Sequence, residues 1–211
     1  MELKKFRISA RLLSMIGSKL IEDGKVALTE LIKNAYDADA TQVVVDYVNF
    51  GVEQEISQNN SSKLIIVDNG HGMTNSVINN SFLNIATSMK HSVNGVRSSP
   101  KGRVFLGSHG IGRFALLKLG KKITIITKSN GDDYYKLIWD FSLYDDDFID
   151  NDSQSDLGLN DIKIKFLSTS KKELSLYTNH DTGTVIIIEN LTDKWTLNNI
   201  KDFAVDITTF S

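Results

Sequence analysis

Near the start of the chain a helical pattern passes almost directly into a strand pattern, and this order sets the class of fold. Apolar residues recur at helical spacing from Lys25 to Ala38 (Val26, Leu28, Leu31, Ile32, Ala35). Gln42 to Val48 then reads as a strand, and so does the short apolar run Lys63 to Val67. An amphipathic helix is expected earlier, over Ala10 to Ile21, and two more over Val77 to Asn84 and Ile111 to Leu119, the last stopped by Gly120. Further β-type runs come late: Lys122 to Lys128, Tyr134 to Phe141, Ile162 to Phe166 and Thr184 to Glu189. A final helix is expected over Leu197 to Thr209. Helices early and strands mostly late predict an α+β fold, a mixed β-sheet with helices packed on one face.

A chain of 211 residues, 41% of them hydrophobic, is long enough for one domain with a full core. Its one proline, Pro100, and the lack of any Pro-, Gly- or Ser-rich linker mark no internal boundary, so residues 1–211 are expected to form a single domain. Ala86 to His109 is long, shows no periodicity and is rich in Ser, Gly and basic residues; loops this long are functional lids or disordered. The absence of cysteine excludes disulfides, thiol nucleophiles and thiolate metal sites. No apolar run approaches the ~20 residues that span a bilayer, and the opening MELKKFRISA has no apolar signal core. A cytoplasmic location is the expectation, with no membrane partner.

The charge is unevenly spread. Between Asp68 and Asp132 there is no acidic residue, but there are nine basic ones: Lys90, Arg97, Lys101, Arg103, Arg113, Lys118, Lys121, Lys122 and Lys128. All 26 acidic residues lie outside that stretch. A chain that clears carboxylates from its middle third is expected to receive an anion there. A nucleic-acid surface is possible but not indicated, because few aromatics interleave the basic residues and base stacking gets little support.

Four short motifs carry the chemistry. In TELIKNAYDADA, steps of four and seven place Glu30, Asn34 and Asp37 on one face of an otherwise apolar helix. A carboxylate and an amide oxygen there suit a base beside a hard cation such as magnesium; the alternative is a solvated face with capping residues. In VDNGHGMT a buried strand ends in Asp68, and Gly70 and Gly72 allow close backbone approach; an ordinary turn is the alternative. In LGSHGIGRFALLKLG, Gly107, Gly110 and Gly112 precede a helix whose freed N–H groups can bind phosphate. The glycine order matches neither the dinucleotide fingerprint nor the P-loop. In GTVIIIENL, Gly183 and Thr184 open an apolar strand.

Taken in order and spacing, these motifs resemble the GHKL ATPases, the superfamily of DNA gyrase B, the ninety-kilodalton heat-shock chaperone, histidine kinases and MutL. Glu30, Asn34 and Asp37-Ala38 match the N-box; Asp68, Gly70, Gly72 and Met73 the first glycine box; Gly107, Gly110 and Gly112 the second; Gly183-Thr184 the late Thr motif. NIATSMK, ending in Lys90, looks like the segment that enters the lid of MutL relatives. The resemblance implies a Bergerat-type two-layer sandwich with ATP held between helices and a lid over about residues 86–109. It implies that Glu30 activates the attacking water and that Asn34 ligates magnesium. It implies that Asp68 bonds the adenine amine with Thr184 assisting, and that Met73 lines the adenine pocket. Asp37 joins the nucleotide-binding set, Gly110, Ile111 and Gly112 offer N–H groups to phosphate, and Lys90 neutralises its charge. The Asp-Ala pair is that of the MutL, gyrase, chaperone and MORC branches rather than of histidine kinases; phosphotransfer of the histidine-kinase kind and a non-hydrolysing nucleotide-binding module are the alternatives. Slow ATP hydrolysis driving an output domain or partner protein, an ATP-dependent homodimer, and a chain that is the amino-terminal fragment of a larger protein are the further expectations.

Overall fold

The computed structural model describes residues 8–12, 15, 21–50, 61–84, 98–107, 114–144, 149–150 and 155–208. The first long element is helix α1, Gly24–Asp37. Asp23 caps it by accepting from the Val26 N–H at 2.9 Å. Strand β1, Val43–Val48, follows after a tight exit, and β2, Lys63–Asp68, pairs with it antiparallel. A short α2, Asn75–Val77, passes into a π-helical turn over Ile78–Phe82, where an ordinary helix was expected. The Leu83 N–H bonds the Ile78 carbonyl, five residues back.

The second half supplies most of the sheet. Helix α3, Phe114–Leu119, runs without a loop into β3, Gly120–Lys128, and a hairpin leads to β4, Tyr134–Asp140. A two-strand ribbon, β5 (Ile149–Asp150) with β6 (Ser155–Asp156), stands apart from the main sheet. Then come β7, Lys165–Ser168, a one-turn helix α4, Lys171–Leu174, strand β8, Gly183–Leu191, and α5, Leu197–Thr208. The sheet order is β1-β2-β8-β3-β4-β7, so the last strand of the chain inserts at its centre. Among the described residues every ladder of the sheet is antiparallel, where a mixed sheet was expected. Chain direction in a sheet is decided by which strands meet across the core, and the periodicity of single strands does not encode it.

Alternation along the strands creates two cores. Leu64, Ile66, Ile123, Ile125, Leu137 and Ile188 face Leu28 and Leu31 of α1, Phe114, Leu116 and Leu119 of α3, and Phe203 of α5. Ile65, Val67, Ile126, Val185 and Ile187 point to the other side, where Leu174 and Tyr177 cover them. The long helices therefore share one face, as the α+β reading expects. Each fully buried Leu or Ile contributes roughly 1.5–3 kcal/mol, which fixes the register of the sheet against α1.

Candidate nucleotide site

The site is built where α1 ends beside the carboxyl end of β2. Asp68 closes β2 opposite Thr184 of β8, and Thr184 in turn lies opposite Thr127 of β3. The Asp68 Oδ1 accepts the Gly70 N–H at 2.8 Å. Asp68 is only 7% exposed. Burial pushes its carboxyl up to about 6, against the opposing pull of the Gly70 and Thr184 N–H groups and the nearby His71 charge. A buried acid that ionises reluctantly and keeps accepting capacity suits recognition of an amine in an apolar pocket.

The turn after Asp68 is forced by backbone geometry. Gly72 has φ +64, and a Cβ there would lie 2.0 Å from the Lys128 carbonyl oxygen. Gly183 has φ +139, and a Cβ there would lie 2.1 Å from the Asp68 carbonyl oxygen. Only glycine meets both the dihedral and the approach. The His71 N–H bonds the Ala38 carbonyl at 2.8 Å, which docks the turn on the end of α1. Met73 follows; its N–H donates to Thr127 Oγ1 at 2.9 Å. Thr127 is 0% exposed and also lies 3.2 Å from both the Gly183 carbonyl oxygen and Thr184 Oγ1. Sequence reasoning passed over Thr127, because a threonine inside a strand carries no local mark. The pairing of β3 with β8 is what makes it a member of the site.

On α1, Glu30 and Asn34 are half-buried and one turn apart, so they share a face. Glu30 Oε1 accepts from Lys33 Nζ at 2.7 Å. Among the described residues no cluster of three or more His, Cys, Asp or Glu side chains is arranged to hold a metal ion. The Asn34 amide oxygen is a hard donor of the kind that suits magnesium, which would draw its other oxygens from the ligand. Asp37, 8% exposed, accepts the Leu106 N–H at 2.8 Å and the Gly107 N–H at 3.0 Å. Gly107 thus stands beside the Asp of the N-box. Lys90, Gly110, Ile111 and Gly112 lie outside the described residues, as do residues 86–97 and 108–109 of the expected lid.

Several cations of the acid-free stretch are already engaged within the fold. Lys118 pairs with Asp193 at 3.3 Å and Lys122 with Glu189 at 3.1 Å. The Arg103 guanidinium donates to the Ala40 carbonyl at 2.6 Å and sits 4.7 Å from the Tyr36 ring centroid. These residues serve packing, so the charge asymmetry overstated how many of the nine were free for an anion.

The comparisons with known proteins agree with this architecture. Residues 22–184 match the family described as histidine kinase-, DNA gyrase B-, and HSP90-like ATPase. The chaperone protein HtpG of Oceanobacillus iheyensis is 30% identical over 135 residues, covering 60% of this chain and 22% of that protein. HtpG of Shouchella clausii is 29% identical over 171 residues, covering 75% of this chain and 27% of that protein. The chain therefore spans about a quarter of the length of these curated relatives. With the match running from Glu22, just ahead of α1, to Thr184, the chain belongs to the histidine kinase-, DNA gyrase B- and HSP90-like ATPases, on the HSP90-like side of that superfamily.

Proposed function

We propose that this domain binds ATP with magnesium and hydrolyses it slowly, using the cycle as a conformational switch for an output domain or partner. The observation that carries the reading is the convergence of a buried acid, Asp68, with Thr127, Thr184 and the Gly70–Met73 turn at the carboxyl end of α1, whose polar face carries Glu30 and Asn34. Asp68 accepts from the adenine amine, Thr184 supports it, and Gly70, Gly72 and Met73 form the wall of the base pocket. Asn34 supplies an oxygen to magnesium, which neutralises phosphate charge when bound. Glu30 accepts a proton from the attacking water, and Gly107 with Gly110, Ile111 and Gly112 receives the phosphates, aided by Lys90. Residues 1–211 act as one domain in this reading. A nucleotide-dependent homodimer and a cytoplasmic setting accompany it. Among the described residues no helix is long and apolar enough to cross a membrane.

Calorimetric titration with ATP and magnesium, alongside phosphate release from wild type and Glu30→Ala, tests the proposal. Binding in both proteins with release lost by ~10²-fold or more in the variant is expected for a positioned base. Asn34→Ala should instead weaken the magnesium-dependent part of binding. Transfer of labelled phosphate to protein, with none released, would point to phosphotransfer of the histidine-kinase kind.

A further inference from the structure

Helix α1 ends in an unusual way. The Ala40 N–H reaches back to the Ala35 carbonyl at 3.0 Å and the Asp39 N–H to the Tyr36 carbonyl at 3.0 Å, a closure in which the residue at Asp39 must be left-handed. Glycine is the ordinary occupant of that place, but here it is an aspartate with φ 61. A strained non-glycine residue persists when its side chain is needed. Asp39 is 4% exposed, and its carboxylate takes the Ser99 hydroxyl and the Lys101 N–H, the latter at 3.2 Å. Burial pushes its carboxyl up, but these donors and the charges of Arg103 and His71 outweigh burial and hold it below the usual carboxylate range. Two residues earlier, Asp37 holds the Leu106 and Gly107 N–H groups. Arg103 adds its bond to the Ala40 carbonyl. One helix end thus grips the 98–107 segment at both its start and its finish.

We propose that Asp37 and Asp39 are positioning residues, which tie residues 98–107 to the end of α1 and so set Gly107 in fixed relation to Asn34. Neither carboxylate contacts the nucleotide. This rests on the nucleotide reading above, and it reassigns Asp37 from the ligand-contacting set to the support behind it. The chemistry favours that role: an Asp37 whose two oxygens each accept a backbone N–H has no reason to turn toward phosphate, which repels it. The anchor also joins the magnesium-side helix to the phosphate-side loop, so both move together or not at all.

The test uses Asp39→Gly, which suits the left-handed backbone and removes only the carboxylate, with Ser99→Ala as a second variant on the anchored segment itself. The first measurement is trypsin cleavage after Arg103 without nucleotide. The second is affinity for a non-hydrolysable ATP analogue and for AMP, which carries the base without the outer phosphates. Both variants are expected to be cut after Arg103 faster than wild type. Both should bind the analogue about ten-fold more weakly and AMP within two-fold of wild type. Unchanged cleavage, or a loss that is equal for AMP and the analogue, overturns the positioning role. If the wild-type protein itself binds neither nucleotide, the site reading fails and this inference fails with it, and that outcome is seen before any variant is made.

Discussion

Lys33 donates to Glu30 one turn along the same helix, Nζ to Oε1 at 2.7 Å, with 32% and 29% of the two side chains exposed. The carboxylate expected to take a proton from water is therefore held by an ammonium of its own helix. A pair about a third exposed at this spacing is worth only a few tenths of a kcal/mol to about 1 kcal/mol. It can be displaced, but it competes with the water for an oxygen of Glu30. Lys33→Met should leave ATP affinity and thermal stability close to wild type and raise turnover roughly two- to five-fold, the factor such a pair energy allows. Steady-state phosphate release at saturating ATP decides it; a fall in turnover would make Lys33 a participant in the reaction instead.

Asp68→Asn should separate stability from function in one substitution. A carboxyl held near 6 when folded and near 3.8 when unfolded binds more protons folded than unfolded between those values. Its contribution is therefore present in full below about pH 4 and is lost as pH rises toward 6 and beyond. The sum is roughly 3 kcal/mol, taking 1.36 kcal/mol per unit as an upper figure. The amide keeps an oxygen for the Gly70 N–H and carries no charge to desolvate. The variant should melt higher than wild type at pH 7, with the gap closing near pH 4 by calorimetric scanning. Its ATP affinity should fall roughly ten- to a hundred-fold, because an amide placed for adenine leaves a polar group unpaired.

Thr127→Val keeps the shape of a fully buried side chain and removes the hydroxyl that serves Met73, Gly183 and Thr184. Leaving the Met73 N–H without an acceptor should destabilise the fold by about 1–3 kcal/mol. Urea denaturation measures that loss. Nucleotide titration should show weaker binding too, since Thr184 loses the neighbour that orients it. Full affinity in the valine variant would remove Thr127 from the site.

Gly183→Ala should be far more damaging than a substitution of similar size elsewhere in β8. The new Cβ would sit 2.1 Å from the Asp68 carbonyl oxygen, at a φ that L-residues rarely adopt. Backbone on both sides has to move, and the movement falls on Asp68 and Thr184 together. Expression of soluble, folded protein at wild-type yield, judged by circular dichroism and melting, would contradict the geometry.

Much of this site was legible in the chain before any folding was considered. Glu30, Asn34 and Asp37 share a face because the helix period places them there. Asp68 stands out as a charge at the end of an apolar run, and Gly70 and Gly72 mark a turn where backbone can come close. These are local properties, carried by spacing and residue type. What tertiary structure alone decided depends on which strands and segments meet. The all-antiparallel order puts β8 between β2 and β3, and only then does Thr127 reach Met73 and Thr184. The two acids of DAD look alike in sequence, yet Asp37 and Asp39 each bind N–H groups more than sixty residues away, at Gly107 and Lys101. Likewise Lys118, Lys122 and Arg103 find their partners in the turn after β8, in β8 and at the end of α1, none of which the local sequence marks. Sequence determines what a residue can donate, accept or bend around; the fold determines which groups stand within about 3 Å of it, and hydrogen bonds act only at that range.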